Sequence, residues 1–125
     1  MIRTLRQTDY AVTKQLFEDV FDMSELAKFV VAWTSRDDSP SFWIAGVLVG
    51  AAIVGSNKLH YIFIHEDYRA HGIGTQLLNA VLAAYPTIHL TSVDDPDVKQ
   101  WYIKNGFRLS RDCVYVRHQH NLRPK

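Results

Sequence analysis

The residues of this chain with the clearest potential for chemistry are Gly72 and Gly74, which stand between an apolar strand and a helix. The segment 59–65, LHYIFIH, is rich in β-branched and aromatic residues, which favours a strand. Beyond it, apolar residues take helical spacing at Ile73, Leu77, Leu78 and Val81. A helix that begins at such a turn directs unpaired N–H groups and its positive dipole end at one point. The sequence therefore predicts an anion site, most often for phosphate, which the glycines allow to approach closely.

Two familiar nucleotide-binding patterns do not fit this loop. The dinucleotide pattern G-x-G-x-x-G requires a third glycine, but Leu77 stands at that position. The P-loop pattern G-x-x-x-x-G-K followed by Ser or Thr does not occur in the sequence. The run from Arg69 to Gly74 therefore needs another explanation.

That run, RAHGIG at 69–74, follows Tyr68 and an apolar strand, and it resembles the acyl-CoA signature Arg/Gln-x-x-Gly-x-Gly/Ala of the GNAT N-acetyltransferase superfamily. A second run, DxxVxxWYxKxGF at 95–107, is similar to another pattern of the same family. The resemblance implies acetyl-CoA as the acetyl donor and direct transfer of its acetyl group to a primary amine. The acceptor is then a small molecule, such as a polyamine, or a lysine or N-terminal amine of a protein.

The resemblance also implies which residues hold the donor. Backbone N–H groups of the glycine loop would bind the pyrophosphate, at Arg69, Ala70, His71, Gly72, Ile73, Gly74 and Thr75. The pantetheine arm would pair with the preceding strand like an added β-strand, at Ile62, Phe63 and Ile64. Plain core packing is the alternative interpretation of the side chains of Ile62 and Ile64, and the two interpretations are compatible.

Tyr102 stands where the family has the tyrosine that protonates the departing thiolate of CoA. A phenol with an ordinary pKa near 10 is a suitable proton source for a thiolate. An ordinary tyrosine on a helix face is the alternative. Asp95 replaces the asparagine of the family pattern, so it is either a donor contact or the N-cap of a helix whose first residue is Pro96.

A base must accept a proton from the amine, and the family often has a glutamate on the central strand where His60 stands. Histidine can serve as a base at neutral pH, although a strand-face histidine without a role is the simpler interpretation. By resemblance, a kink in this strand would leave the N–H of Ile64 free for the oxyanion. An acyl-enzyme at Cys113 is not expected, and no metal site is predicted, because His118 and His120 have no partners at ligand spacing.

Composition indicates an ordinary globular protein of one domain, residues 1–125, with a net charge of +1. The single cysteine and the polar first ten residues predict a reducing, cytoplasmic location. The longest apolar run, 42–55, has 14 residues and three glycines, too short for a membrane span. It is better explained as two buried strands.

Apolar spacing and turn residues predict the order β-α-α-β-β-β-α-β-α-β-β. The predicted strands are 2–6, 42–45, 47–55, 59–65, 87–93, 107–109 and 113–116. Thr8 and Ser24 are predicted to cap the first two helices. This order indicates an α/β fold, and the resemblance implies a GNAT-like mixed, mostly antiparallel sheet with helices on both faces.

Several questions stay open from the sequence. Acidic residues around the first two helices would suit a cationic acceptor, although a solvated helix face explains them more simply; they are Glu18, Asp19, Asp22, Glu25, Asp37 and Asp38. A non-catalytic acyl-CoA-binding regulatory module is the alternative function. Arginines near the C-terminus are the argument for a nucleic-acid partner, but they are spread among acids and aromatics, which opposes it. The apolar run at 113–116 is compatible with a homodimer through the late strands.

Overall fold

The structure is a computed structural model that describes residues 1–91, 95–109 and 114–118. Within these residues the strands are β1 (Ile2–Thr4), β2 (Pro40–Ile44), β3 (Val47–Gly55), β4 (Lys58–Ile64), β5 (Thr87–Thr91), β6 (Arg108–Leu109) and β7 (Val114–His118). The α-helices are α1 (Tyr10–Val20), α2 (Leu26–Thr34), α3 (Ile73–Ala84) and α4 (Pro96–Lys104). This is the predicted order of elements. Cys113 and the predicted tail at 121–125 lie outside the described residues.

The strands form one sheet in the order β1-β2-β3-β4-β5-β7-β6. β4 and β5 run parallel, and every other neighbouring pair in the described part of the sheet is antiparallel. The predicted mixed, mostly antiparallel sheet is confirmed. None of the helices in the described part of the chain has both the length and the hydropathy to cross a membrane.

Helices cover both faces of the sheet, as predicted. On one face, α1 and α2 pack around Phe17, which is 1% exposed and whose ring centre lies 4.4 Å from that of Phe29. The rings of Tyr61 and Phe63 from β4 meet Phe17 edge to face. On the other face, α3 and α4 bury a second cluster, which includes Leu78, Val81, Ile88, Tyr102 and Phe107.

The starts of the first two helices differ from the prediction. A 3₁₀ turn precedes each helix, at Gln7–Asp9 and Met23–Glu25, so the N-cap positions fall on Asp9 and Glu25 instead of Thr8 and Ser24. Neither α1 nor α2 receives a side-chain cap hydrogen bond. The predicted caps were wrong because each helix is entered through a tighter turn, which moves its first residue along the chain.

Asp9 ties β1 to the start of α1. Its carboxylate accepts two hydrogen bonds from the Arg3 guanidinium, at 2.9 and 3.0 Å, and one from the N–H of Arg6 at 2.7 Å. The side chain is nearly buried. The hydrogen bonds from Arg3 lower the pKa of Asp9 below its ordinary value of 3.8, although burial opposes this decrease.

We predict that the Asp9 contacts make folding stability depend on pH at the acidic end. Because its folded pKa is below the unfolded one, Asp9 contributes fully above about pH 4 and loses this contribution as pH falls through the folded pKa. At pH 7, Asp9→Asn should have a lower Tm than the unmodified protein. Between pH 7 and pH 3, its Tm should fall less than that of the unmodified protein. The exposed Asp22→Asn variant is the control, and equal pH slopes in all three proteins would contradict the prediction.

Candidate active site

A cavity of about 560 Å³ lies where the end of β4, the start of α3 and one face of α4 meet. We call it the glycine-loop cavity. It is lined by Ile62, Ile64, Tyr68, Arg69, Ala70, Gly72, Ile73, Gly74, Thr75, Val98, Trp101 and Tyr102. Its size falls within the range of small-molecule sites. The strand, the loop and both predicted motifs therefore converge on one place.

The glycine loop supplies unpaired N–H groups to this cavity. Gly72, at the N-cap of α3, is left-handed with φ +78°, and no side chain caps the helix. In the described part of the chain, the first N–H of α3 with a backbone partner is that of Gln76, which donates to Gly72. The N–H groups of Ile73, Gly74 and Thr75 therefore remain available to donate to a ligand, at the positive end of the helix dipole.

Two further features of the loop favour an anion. Ala70 also has a left-handed backbone, with φ +67°, a strained conformation for a residue with a side chain. Arg69 is exposed, and its Nε–H donates to the carbonyl oxygen of Ile64 at 3.1 Å, which anchors a positive charge beside the loop. An anion placed against the loop would meet both the helix dipole and this guanidinium.

The edge of β4 is open along the same cavity. β4 and β5 share a single register pair, Lys58 with His89, and beyond it the described residues of β5 do not pair with β4. The N–H of His65 donates to Val49 of β3 at 2.8 Å. Because backbone groups alternate between the two edges of a strand, those of Ile62 and Ile64 point away from β3, towards the gap beside β5.

Tyr102 is held in the wall of the cavity by aromatic neighbours. Its ring packs edge to face against Trp101 and Phe107, at centroid distances of 5.0 and 5.3 Å, and its side chain is 6% exposed. The hydroxyl forms no hydrogen bond with any described residue. Burial raises the pKa of Tyr102 well above the ordinary value near 10 that was expected from the sequence. The phenol therefore stays protonated at neutral pH and can donate a hydrogen bond, but it is a weaker acid than expected.

His60 lies on the opposite face of the sheet, because of a β-bulge. Val54 pairs with Leu59 and Ile53 with Tyr61, so His60 is an extra residue without a partner on β3. Strict alternation would place His60 with Ile62 on the face of α3. A bulge redirects a side chain in this way, and bulges are frequent beside active sites.

The bulge directs His60 into a second cavity, of about 800 Å³, which we call the α2 cavity. Its lining comes from α2, β4 and β5: Glu25, Ala27, Lys28, Val31, Ala32, Ser35, Lys58, His60, Tyr61 and Thr91. Burial lowers the pKa of His60 below its ordinary value of 6.5, and the charge of Lys58 lowers it further. A hydrogen bond with the Gly55 backbone opposes these effects, and His89 adds a further decrease. His60 is therefore neutral at pH 7.

The structure brings together most, but not all, of the residues predicted for the site. Phe63 is 2% exposed in the core beneath α1, on the other face of β4. His71 is exposed and outside the cavity lining. Asp95 caps α4, accepting from the N–H groups of Asp97 and Val98 at 2.8 and 3.4 Å. The structure therefore shows Asp95 as the N-cap of α4.

Three lining residues were not among the predicted site residues: Tyr68, Val98 and Trp101. A signal for two of them was present, since Val98, Trp101 and Tyr102 follow the i, i+3, i+4 spacing of one helix face. Trp101 also packs over Gly74, where a Cβ would lie 3.6 Å from its ring. Tyr68 directly precedes the RAHGIG run, and its place in the lining depends on a 3₁₀ turn that ends at this residue.

Comparison with known proteins identifies the fold and the family. The profile of the family described as "Acetyltransferase (GNAT) domain" matches residues 38–109, more than half of the chain. The chain belongs to the GNAT acetyltransferase family. It is therefore an acyltransferase, and acetyl-CoA is the donor in this family. No curated protein matches the sequence.

Solved structures share the GNAT fold with this chain at low sequence identity. Ard1 from Thermoplasma volcanium superposes with a TM-score of 0.74, at 17% identity over 93% of each chain. The ribosomal-protein-S18-alanine N-acetyltransferase of Escherichia coli gives 0.73, at 18% identity over 93% of this chain and 90% of its own. The PaiA N-acetyltransferase of Thermoplasma acidophilum, solved with coenzyme A, gives 0.68, at 14% identity over 94% and 98%.

The residues present fit coenzyme A, judged on the chain's own geometry. Uncapped N–H groups at the start of α3 suit a diphosphate. At Gly72, a Cβ would meet no atom within 4 Å, so the space beside the main chain is open to a ligand. The open edge of β4 offers main-chain partners to an extended, amide-bearing arm.

We predict that Gly72→Glu lowers acetyl-CoA affinity by about 100-fold, because a carboxylate would face the phosphates of the donor. Gly46→Glu is a matched control. Gly46 has the same φ of +78° and equally open surroundings, but it lies in the turn between β2 and β3. Both variants carry the same backbone strain, so only the effect on binding should differ.

Isothermal titration with acetyl-CoA measures the affinity, and thermal unfolding compares the two variants. Similar Tm values with weak binding in Gly72→Glu alone are expected. Equal affinities in the two variants would contradict the assignment of the loop.

Proposed function

We propose that this acyltransferase moves the acetyl group of acetyl-CoA directly to a primary amine, with Tyr102 as general acid and His60 as general base. One observation carries the proposal. The two cavities lie on opposite faces of the sheet, both are lined by β4, and β4 separates from β5 between them. Tyr102 faces one cavity and His60 the other.

The glycine-loop cavity is the proposed donor site. The N–H groups of Ile73, Gly74 and Thr75, with the guanidinium of Arg69, would hold the diphosphate. The main chain of Ile62 and Ile64 would pair with the pantetheine arm and polarise the thioester carbonyl through an N–H group. Bound there, acetyl-CoA supplies an activated acetyl group. Phe63, His71 and Asp95 have no part in this arrangement, because each lies outside the cavity lining.

Tyr102 and His60 then perform opposite proton transfers. His60 accepts a proton from the amine nitrogen as the N–C bond forms and the C–S bond breaks. Tyr102 donates its phenolic proton to the departing sulfur. Each residue begins in the required state, since burial keeps Tyr102 protonated and His60 neutral at pH 7. Atoms and charges balance without an acyl-enzyme.

Other aspects of the function are also proposals. A single sheet that includes all described strands supports one domain over residues 1–125. The single cysteine supports a cytoplasmic location. A homodimer stays a prediction, and β7 is paired on both edges, so a dimer would use a surface other than a free edge of β7.

The central test is release of free thiol from acetyl-CoA in the presence of a panel of amines. Polyamines, amino acids, aminoglycosides, arylalkylamines and lysine peptides cover the main acceptor classes. Thiol release above hydrolysis with any of them supports acetyl transfer. Tight acetyl-CoA binding without release for the whole panel would instead favour a non-catalytic acyl-CoA-binding module.

Tyr102→Phe should lower kcat by about 10²-fold or more, while acetyl-CoA affinity and Tm change little. The hydroxyl has no partner among the described residues, so its removal costs little stability. Tyr85→Phe is the matched control, since its hydroxyl donates to the backbone oxygen of Asp38, and neither residue lines the glycine-loop or the α2 cavity. Unchanged kcat in Tyr102→Phe would remove this residue from the mechanism.

The acidic limb of the kcat–pH profile should reflect the protonation of His60. Activity falls as His60 becomes protonated, and its lowered pKa places the midpoint below pH 6.5. Charged or titratable groups facing the same cavity are Lys28, Lys58, Glu25, Tyr61 and, beside it on β5, His89. His60→Gln should lower kcat and abolish the limb, whereas His65→Gln should retain it. The same limb in His60→Gln would exclude His60 as the base.

A further inference from the structure

We propose that the α2 cavity selects an amine acceptor that also carries a carboxylate, as an amino acid does. This inference rests on the proposed function, because it assigns the α2 cavity to the acceptor. It depends on the charges that line the cavity, on the fact that they have no ion-pair partner among the described residues, and on the apolar wall beside them.

The acidic residues that would favour a polyamine lie mostly elsewhere. Glu18 pairs with Lys14 at 3.3 Å, and Asp19 accepts a hydrogen bond from Gln15 at 3.1 Å, both along α1. Asp37 and Asp38 line a separate cavity with Arg36. Of the six acids considered from the sequence, Glu25 alone lines the α2 cavity. The charge distribution therefore does not support a polycationic acceptor at this site.

The α2 cavity carries an excess of positive charge. Lys28 of α2 and Lys58 of β4 both line it, against the single carboxylate of Glu25. Neither lysine has an ion-pair partner within the described residues. Oε1 of Glu25 is 3.5 Å from the Tyr61 hydroxyl, and Glu25 also has no cationic partner among the described residues. With His60 neutral, the described lining residues carry one net positive charge, which attracts an anion and repels a polyamine.

The position of the charges suits an acceptor with both an amine and an acid. Lys58 precedes His60 by two residues on β4, so an acceptor amine at His60 has an ammonium group close by for its carboxylate. Ala27, Val31 and Ala32 form an apolar wall that can contact the rest of the molecule. A volume of about 800 Å³ accommodates an amino acid or a short peptide.

Matched acceptor pairs test this inference. L-lysine against cadaverine, and L-phenylalanine against 2-phenylethylamine, differ only in the carboxylate. At pH 8, we expect kcat/KM to favour the carboxylate-bearing member of a productive pair by about tenfold, the size of one charge-assisted contact. Lys28→Met and Lys58→Met should each reduce this preference through KM for the amino acid, with little change for the decarboxylated amine.

A charge reversal and a control sharpen the test. Lys28→Glu should turn the preference towards the decarboxylated amine, whereas Lys14→Met, on α1 and outside the cavity, should leave it unchanged. Equal or better turnover of the decarboxylated amines by the unmodified enzyme would overturn this inference and leave acetyl transfer standing.

A binding measurement separates this inference from the proposed function. Titration of the enzyme–CoA complex with L-lysine and with cadaverine reports selectivity without turnover. If no acceptor releases thiol, the proposed function fails, yet tighter binding of L-lysine would still support a carboxylate-selective cavity. Equal binding of both compounds would overturn it.

Discussion

The separation of β4 from β5 is the constraint on which the rest of this structure depends. Elsewhere in the described sheet, neighbouring strands pair along their shared length, but these two share only the pair Lys58 with His89. Beyond that pair, the backbone groups of β4 that point away from β3 have no strand partner among the described residues, and polar groups that are buried without partners are costly. A ligand that pairs along this edge would satisfy them, so the opening both creates a site and favours its occupation.

The cavities on the two sides of the opening differ in the chemistry of their linings. Towards α3 and α4, the wall is apolar and aromatic, and burial keeps the phenol of Tyr102 protonated. Towards α2, the wall is mixed in charge, and the bulge brings His60 into it in its neutral form. The two groups of the proposed proton transfers thus lie on opposite sides of β4.

Electrostatics at the glycine loop also explains the role of Asp95. A carboxylate beside the phosphates would weaken donor binding, and the sequence alone left this question open. In the structure, that carboxylate accepts hydrogen bonds from the first N–H groups of α4 and lies outside the cavity lining. The negative charge of Asp95 therefore interacts with the positive dipole end of α4, and α4 holds Trp101 and Tyr102 against the loop.

The sequence by itself determined the order of elements, the glycine turn at Gly72 that begins α3 and the face of α4 that carries Tyr102, because local spacing and turn residues encode these features. It did not determine the 3₁₀ turns that displaced the predicted caps from Thr8 and Ser24. Nor did it reveal that Phe63 is directed into the core, or that His60 departs from strict alternation. Those outcomes depend on the register between β3 and β4 and on where β5 diverges. Register is decided by packing between segments distant in the sequence, so only the tertiary structure could decide which side chains share a cavity.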